Sequence, residues 1–213
     1  MKKVASVNFV ESDFSVSEAL EGKSWDLAEG IKVETYWSGE KAPSHRHFEV
    51  RLLWGEEAFY VRFEANQGEP LIISERPNLS SKTIKLWERD VCEIFLAPDK
   101  ENFRRYFEFE VSPNGEWLDL EIYQGKNERI TNWDYKSAME SVAKITDSKI
   151  LMGIKIPWQA FGKKPKAGDD WLGNLFRCVG EGKTRGFLAW SPTKTPEPNF
   201  HVPEKFGLFR FVV

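Results

Sequence analysis

The sequence contains few of the residues that build disulfide frameworks or zinc sites. Among its 213 residues are two cysteines, Cys92 and Cys178, and three histidines. Two thiols alone cannot make a disulfide scaffold or complete the ligands of a structural zinc. We therefore expect two buried free thiols. A single disulfide between them stays open, because both lie in strand-like segments whose separation in space the sequence does not give.

An excess of positive charge and long apolar runs are missing as well. Thirty Lys and Arg residues stand against 33 Asp and Glu residues, a net charge of −3, which provides no basic surface for nucleic acid. No run approaches the roughly 18 apolar residues of a membrane helix, and the first residues lack the apolar segment of a secretory signal. We expect no nucleic-acid or membrane partner, and a protein that is either cytoplasmic or secreted with its leader removed.

Aromatic residues, by contrast, are plentiful: nine Trp, sixteen Phe and five Tyr make up 14% of the chain. Aromatic side chains favour strands, and an excess of Trp suggests flat stacking surfaces. Alternation of apolar and polar residues recurs through most of the sequence, whereas helix signal is limited to short turns at 16–22 and 157–162. The pattern predicts one all-β domain over residues 1–213, a two-sheet antiparallel β-sandwich resembling a jelly roll.

The expected strands are short apolar or alternating segments bounded by turn residues. They lie at 32–37, 48–54, 58–65, 71–74, 91–97, 106–111, 117–123, 141–146, 150–156, 174–179, 187–190 and 206–212. Long loops are expected at 78–89, 127–138 and 191–205. Loops of this length in a compact domain are commonly functional.

Alternation in the strand at 91–97 puts Glu93 on the face opposite Cys92. If this strand lies beside the 106–123 hairpin, five carboxylates are expected to gather on one sheet face, and they are Glu93, Glu108, Glu110, Asp119 and Glu121. Carboxylates so close repel one another unless cations or hydroxyl-rich ligands satisfy them. The pattern therefore predicts a polar site on this face.

A sugar suits such a face, because its hydroxyl groups bond to carboxylates and its apolar C–H faces stack on indole rings. Trp87 stands at the mouth of the 91–97 strand, and Trp190, Phe200 and His201 lie in or beside the last long loop. An aromatic clamp above polar groups is the predicted architecture. Trp54, Trp158 and Trp171 are expected in the core.

Six segments in this order resemble the family 9 carbohydrate-binding modules of the DOMON-like superfamily: WERDVCEIFL, FEFEVSPNG, IPWQAFG, NLFRC, FLAWSPT and PEKFGLFRF. The resemblance covers about residues 20–213. It implies a non-catalytic module that binds a mono- or oligosaccharide in carbohydrate catabolism. By similarity, Trp87 is one sandwiching aromatic residue and Glu93 accepts hydrogen bonds from sugar hydroxyls.

The chain departs from the family pattern at two places. Members that bind reducing ends carry an Arg on the strand that matches FEFEVSP, where this chain has Glu108 and Glu110. Their second clamping Trp precedes a Pro-x-x-Phe-Gly ending, where this chain reads NFHVPEKFG, so Phe200 or His201 would replace it and Asn199 is available as a polar contact. The expected sugar-binding residues are Trp87, Glu93, Glu108, Glu110, Trp190, Asn199, Phe200 and His201.

Three further expectations accompany this interpretation. Two facing carboxylates at about 5–10 Å could serve a glycoside hydrolase, the alternative function. A haem-binding relative would need His45 or His47 with Met139 or Met152 as axial ligands. No other cofactor is expected, except that the resemblance implies structural calcium, which takes oxygen ligands.

Overall fold

The computed structural model describes residues 2–213, and this part of the chain is nearly all β. Thirteen strands are accompanied by 3-10 helices of three to five residues. No helix among the described residues is long and apolar enough to cross a membrane. The strands are β1 (Val4–Phe9), β2 (Ile31–Val33), β3 (Phe48–Trp54), β4 (Ala58–Asn66), β5 (Val91–Ala97), β6 (Arg105–Val111), β7 (Trp117–Gln124), β8 (Arg129–Asn132), β9 (Glu140–Ile145), β10 (Lys149–Pro157), β11 (Asp170–Val179), β12 (Gly186–Ala189) and β13 (Gly207–Val212). The 3-10 helices are Lys23–Leu27, Ser44–Arg46, Leu86–Glu88, Trp158–Phe161, Gly182–Thr184 and Pro203–Lys205.

Hydrogen bonds connect the strands in the order β8-β7-β6-β5-β11-β13-β1-β3-β4-β10-β9, with β12 on β11 and β2 on β3. The sheet is mixed, because β1 runs parallel to both β13 and β3. The expectation of a purely antiparallel arrangement was wrong at this strand, which the sequence reading missed. β1 and β13 lie near opposite ends of the sequence, so no short hairpin ties them into antiparallel pairing.

Most expected strands are confirmed, and β3 and β5 match to the residue. Two expectations were wrong. The segment 127–138 was expected to be a loop but contains β8, while 71–74 is not a strand because the backbone of Ile72 bonds to Asp90 instead of to a neighbouring strand. The helical turn expected at 157–162 is the 3-10 helix Trp158–Phe161. The segment 16–22 forms turns, as expected, and the Gly22 N–H donates to the Ala19 carbonyl at 2.8 Å.

The strands that carry the predicted site are buried on both faces. All seven residues of β5 are buried, and such strands read as nearly continuous apolar runs. One face of β5 and β6 contributes Ile94, Phe107 and Phe109 to a core shared with β3, β4 and β10, here called the central core. The other face contributes Phe95 and Tyr106 to a second apolar cluster, the outer cluster, which the C-terminal loop covers.

The register of the β6–β7 hairpin decides which carboxylates share a face. Glu108 lies opposite Leu120, and Glu110 opposite Leu118, whereas Asp119 lies opposite Phe109. Residues directly opposite in an antiparallel pair project to the same side. The expectation that five carboxylates share one face was therefore wrong for Asp119 and Glu121, which project toward the central core side.

The five-residue turn between β6 and β7 is the physical reason for this correction. Gly115 has a φ of 87°, a left-handed conformation that favours glycine. Ser112 N–H donates to the Glu116 carbonyl at 2.9 Å, which closes the turn. With this closure the apolar residues of β6 and those of β7 fall on opposite faces, so that the hairpin is apolar on both sides.

Candidate functional site

A cavity of about 280 Å³ opens on the outer-cluster face of the sheet. Strands β5, β6, β7, β8 and β11 provide its base, and the C-terminal loop closes one side. Its lining residues are Trp87, Glu93, Glu108, Leu120, Ile122, Arg129, Thr131, Trp133, Cys178, Phe187, Pro198, Asn199, Phe200 and His201. Six of the eight residues expected from the sequence thus come together here. Glu110 lies next to this group behind Glu108, and Trp190 is elsewhere.

Trp87 is held at the rim by a backbone turn that an arginine supports. It occupies the 3-10 helix Leu86–Glu88, which follows Lys85 in a left-handed conformation with φ 63°. The guanidinium of Arg185 donates to the carbonyl of Trp87 and, at 2.9 Å, to those of Glu88 and Arg89. These bonds satisfy carbonyls that a short helix leaves free. The half-buried indole of Trp87 is thereby fixed at the cavity mouth.

A second indole, which the sequence reading missed, stands beside the first. The ring centroids of Trp87 and Trp133 are 6.3 Å apart with an interplanar angle of 38°. Trp133 is 47% exposed. An exposed tryptophan pair at a cavity mouth offers flat apolar surface to a ligand.

Strand β8 brings Trp133 and two further residues to the cavity. Thr131 pairs with Ile122 of β7, so both share the outer-cluster face. Arg129, Thr131 and Trp133 are spaced two apart, and all three line the cavity. That spacing is the signal that could have revealed them, had the segment been assigned as a strand rather than a loop.

The floor of the cavity is a cluster of three carboxylates, here called the carboxylate floor: Glu93, Glu108 and Glu110. One carboxylate oxygen of each lies within 4.8 Å of the others. All three are buried, with 2%, 3% and 0% of their surface exposed. Burial raises the pKa of each, and the negative charge of its neighbours raises the pKa of Glu93 and Glu110 further.

Hydrogen bonding of this floor is incomplete. The thiol of Cys178 donates to Glu93 Oε1 at 3.4 Å. Within residues 2–213, Glu108 Oε2 and both carboxylate oxygens of Glu110 have no hydrogen-bond partner. Buried polar atoms are nearly always bonded, so these three oxygens are exceptional.

The C-terminal loop contributes a neutral imidazole. His201 Nδ1 and Tyr106 Oη are 2.8 Å apart and share a hydrogen bond, while Nε2 lies 4.0 Å from Glu108 Oε2. Burial and, as the smaller cause, the positive charge of Arg129 together lower the pKa of His201 to about 3. His201 is therefore uncharged at neutral pH and can exchange hydrogen bonds without adding charge.

Phe200 and Asn199 shape the same wall. Phe200 stacks on Phe176 with centroids 4.0 Å apart and an interplanar angle of 12°. Asn199 Oδ1 accepts a bond from the His201 N–H at 3.0 Å. The loop is thus locked against β11, and its side chains form a preformed wall.

Trp190 does not line the cavity. Its ring stacks on Phe209 in the central core, with centroids 5.4 Å apart, and the side chain is buried. Trp54, Trp158 and Trp171 are buried in the same core, as expected. The expected contact of Trp190 with a ligand finds no support in this placement, because alternation along β12 puts it on the central core side.

The two cysteines lie on opposite faces of the sheet. Cys92 faces the central core and Cys178 the outer cluster, and both are free. Burial raises the pKa of Cys92 to about 12.

Two of the predicted haem ligands have other contacts. His47 Nε2 bonds to the Ala42 carbonyl at 2.7 Å, and Met152 is buried in the central core. None of the four predicted haem ligands, His45, His47, Met139 and Met152, lines the cavity.

The other two carboxylates of the hairpin are paired with cations. Lys82 Nζ lies 2.5 Å from Asp119 Oδ1, and the Ser137 N–H donates to Asp119 Oδ2 at 2.6 Å. Arg105 Nη2 lies 2.6 Å from Glu121 Oε1. Among the described residues, the carboxylate floor is the one group whose acidic, His or Cys ligand atoms approach closely enough to hold a metal ion.

The sequence was compared with protein families and known proteins. The model of a family described as carbohydrate-binding family 9 matches residues 32–211. A protein of Arthroderma benhamiae described as an extracellular protein is 25% identical over an alignment of 179 residues, and the match covers 76% of this chain and 78% of that protein.

Solved structures similar to this one share its fold. A candidate carbohydrate-binding protein from Bacteroides uniformis superimposes with a TM-score of 0.77 at 20% identity, over 99% of this chain and 100% of that one. A family 9 carbohydrate-binding module from Caldicellulosiruptor kristjanssonii in complex with cellotriose gives a TM-score of 0.67 at 16% identity, over 99% and 94% of the two chains. Its glucose complex gives 0.66 at 17% identity, over 98% and 95%.

Proposed function

The chain belongs to carbohydrate-binding family 9, and from this premise we propose that it binds a carbohydrate without catalysis in the cavity below Trp87 and Trp133. The observation that carries the proposal is the pairing of two indoles at the mouth with a polar floor. A pyranose ring presents both an apolar C–H face and a ring of hydroxyl groups. The cavity offers a surface for each.

The ligand proposed first is glucose or the end of a cello-oligosaccharide, because family 9 modules of the same fold bind glucose and cellotriose. A volume of about 280 Å³ is near the lower limit of ligand pockets, which span roughly 300–1,000 Å³. That size suits one or two sugar rings better than an internal stretch of a long chain.

Each wall of the cavity receives a proposed role. Trp87 and Trp133 stack on the apolar face of the sugar, and Phe200 forms the apolar wall opposite the floor. Glu93 and Glu108 exchange hydrogen bonds with hydroxyl groups, and their raised pKa values permit either to donate as well as accept. Glu110 lies behind them and supports the floor. Asn199 and His201 add polar contacts from the loop.

Arg129 is proposed as the guanidinium donor of the site. Family members that bind reducing ends place an Arg on the strand matching β6, where this chain has Glu108. In this chain Arg129 lies on β8, which β7 separates from β6. It lines the cavity on the same face of the sheet as Glu108. Arg provides five N–H donors in a fixed plane, which suits neighbouring hydroxyl oxygens.

Calorimetric titration with glucose, cellobiose, cellotriose, xylose and galactose tests the proposal. Trp87→Ala and Trp133→Ala should each weaken sugar binding by on the order of 1–3 kcal/mol, because each removes apolar surface buried against the ligand. That loss is at least about fivefold in affinity.

Tyr123→Ala is the matched control. Tyr123 is 46% exposed on β7, close to the exposure of Trp133, but it projects from the opposite face of the sheet. It should leave sugar binding unchanged. Absence of binding to every sugar, or an equal loss in Tyr123→Ala, would refute the site. Reducing sugar released during the titrations, and lost in Glu93→Gln, would favour the hydrolase alternative.

A further inference from the structure

Glu110 is the most unusual residue of the carboxylate floor. It is fully buried, and neither of its carboxylate oxygens has a partner among residues 2–213. A carboxylate removed from water without a partner is strongly unfavourable. Its neighbours are carboxyl groups as well: Glu93 lies directly opposite Glu110 in the β5–β6 pair, and Glu108, two residues along the strand, shares a hydrogen bond with Glu110 only when one of the two holds a proton.

The other buried carboxylates nearby have partners, and these do not. Asp119 has Lys82, and Glu116 has Arg89 at 2.8 Å. Asp90 accepts bonds from the backbone N–H groups of Gly180 and Ile72. Within the described chain, no Lys or Arg lies within 4.0 Å of the floor carboxylates, and the one ionisable base at that distance is the uncharged His201. The protein thus supplies carboxyl oxygens here and no cation within 4.0 Å of them, since Arg129 and Arg185 act on Glu108 and Glu93 from a longer distance.

The spacing of these oxygens fits a cation of calcium size. Ca²⁺ binds oxygen at about 2.3–2.6 Å, so two ligands on opposite sides of the ion lie about 4.6–5.2 Å apart. The three floor oxygens are all within 4.8 Å of one another. An ion equidistant from three oxygens with this maximum spacing lies at most about 2.8 Å from each, so small side-chain shifts bring all three into the calcium range, whereas Mg²⁺, with ligands at about 2.0–2.1 Å, needs them closer together.

We propose that Glu93, Glu108 and Glu110 bind one oxygen-liganded divalent cation, calcium first among candidates, at the floor of the cavity. Glu110 holds the ion from behind, and Glu93 and Glu108 hold it at the cavity surface. Coordination positions on the cavity side are then open to water or to a hydroxyl oxygen. Three carboxylates and a doubly charged ion leave a net charge of −1, which reduces the repulsion within the floor.

The ion would also take part in ligand recognition, and this part of the inference rests on the proposed function. Two hydroxyl groups of a sugar that reach the floor can replace two waters of the ion. The affinity for sugar should then depend on the cation. Cation binding itself requires no sugar.

The test begins with protein of residues 1–213 that is stripped by EDTA and dialysed. Separate calorimetric titrations use CaCl2, MnCl2, MgCl2 and ZnCl2. We expect one Ca²⁺ per chain and an increase in the thermal midpoint with added CaCl2. Loss of a supporting group around a metal already costs about 10–100-fold in affinity, so the isosteric Glu110→Gln should weaken binding by at least about tenfold.

Glu121→Gln is the matched control, because Glu121 is a carboxylate of the adjacent strand that faces the other side and pairs with Arg105. It should bind calcium like the unaltered protein. Glu108→Gln serves as a second floor variant if Glu110→Gln fails to fold. No binding of any of the four cations at millimolar concentration, or binding that persists in folded floor variants, would overturn the proposal. Zinc binding that requires Cys178 and not Glu110 would overturn it too.

Sugar titrations with EDTA and with CaCl2 separate this inference from the proposed function. Sugar binding without any cation binding would overturn the cation site and leave the proposed function standing. Cation binding without sugar binding would do the reverse. Sugar binding that is unchanged by calcium, in protein shown to bind it, would overturn the role of the ion in recognition.

Discussion

Strands β5 and β11 carry buried charged residues on both of their faces, and the hydrogen bonding of these residues differs between the two faces. Arg177 lies opposite Cys92, on the face away from the cavity, and Glu93 lies opposite Phe176, on the cavity face. Arg177 is 2% exposed, yet its Nη1 donates to the carbonyls of Arg46 and Asn66 at 2.8 and 2.7 Å. The carboxylate floor on the other face has three unbonded oxygens.

The arginine network, which consists of Arg46, Glu69 and Arg177 with their bonded carbonyls, is fully connected. Arg46 donates two bonds to Glu69, from Nε at 2.6 Å and from Nη2 at 2.8 Å, and Arg177 Nη2 donates to Gln67 Oε1 at 2.7 Å. Satisfied buried groups hold a fold together, whereas unsatisfied ones cost stability. This difference in hydrogen bonding indicates that the arginine network stabilises the fold, whereas the carboxylate floor is available to bind a ligand.

The largest expected effect is the loss of the arginine network. Arg177→Met leaves the carbonyls of Arg46 and Asn66 buried without their donor, and each unsatisfied group costs about 1–3 kcal/mol. We expect the free energy of unfolding to fall by roughly 3–5 kcal/mol in urea denaturation. Arg105→Met, which removes an exposed arginine, should change it by less than about 1 kcal/mol. A loss below about 1 kcal/mol in Arg177→Met would contradict the structural role of the network.

The corresponding change in the carboxylate floor should have the opposite sign. In EDTA, Glu110→Met replaces an unpartnered buried carboxylate by an apolar side chain of similar size and should raise the free energy of unfolding by about 1–3 kcal/mol. Burial raises the pKa of Glu110 above its ordinary value of 4.5. The protonated carboxyl group therefore contributes to the free energy of unfolding below pH 4.5, and this contribution is lost as the pH rises through the pKa of the folded state. The advantage of the variant should therefore grow with pH. A clear destabilisation at pH 7 in EDTA would mean that the floor is satisfied after all.

A smaller effect is expected at Arg185, whose guanidinium bonds to backbone carbonyls beside the cavity. Arg185→Met removes the bonds to the backbone around Trp87, so the indole should lose its fixed position. We expect sugar binding to weaken by about 1 kcal/mol, with broadening of the Trp87 indole N–H resonance. A merely structural arginine would lower the thermal midpoint and leave that resonance sharp.

The smallest effect concerns the pH dependence of the Arg46–Glu69 pair. The hydrogen bonds from Arg46 hold the pKa of Glu69 below its ordinary value of 4.5. Such a group contributes stability above that value and loses it as pH falls through the folded pKa. The difference in unfolding free energy between the unaltered protein and Glu69→Gln should be less than about 1 kcal/mol at pH 7, because the pair is partly solvated, and it should shrink as the pH falls below 4.5. A difference that grows as the pH falls would contradict the pairing.

Much of the site follows from the sequence because strand alternation is local. The residues of β5 fix Cys92 toward one face and Glu93 toward the other, and the position of Trp87 before that strand puts it at the rim. Segment boundaries were also accurate where apolar runs are continuous, as in β3 and β5.

The remaining features of the site depend on how the strands pair, which the sequence of a single strand does not determine. The faces of Glu108 and Asp119 are set by the turn that includes Gly115, since a shift of one residue would exchange them. β8 is a four-residue edge strand, mostly exposed and polar, so its contribution of Arg129 to the cavity is defined by β7 and not by its own composition. The burial of Trp190 likewise results from packing on Phe209.

A proton–nitrogen correlation spectrum of the tryptophan indoles during a titration with glucose or cellobiose tests the central claim most directly. The indole N–H signals of Trp87 and Trp133 should move with a common binding curve. Those of Trp54 and Trp158, which donate to the carbonyls of Val212 and Gly55 at 2.9 and 3.1 Å in the core, should stay in place. Signals of Trp87 and Trp133 that do not move at millimolar sugar would contradict carbohydrate binding in this cavity.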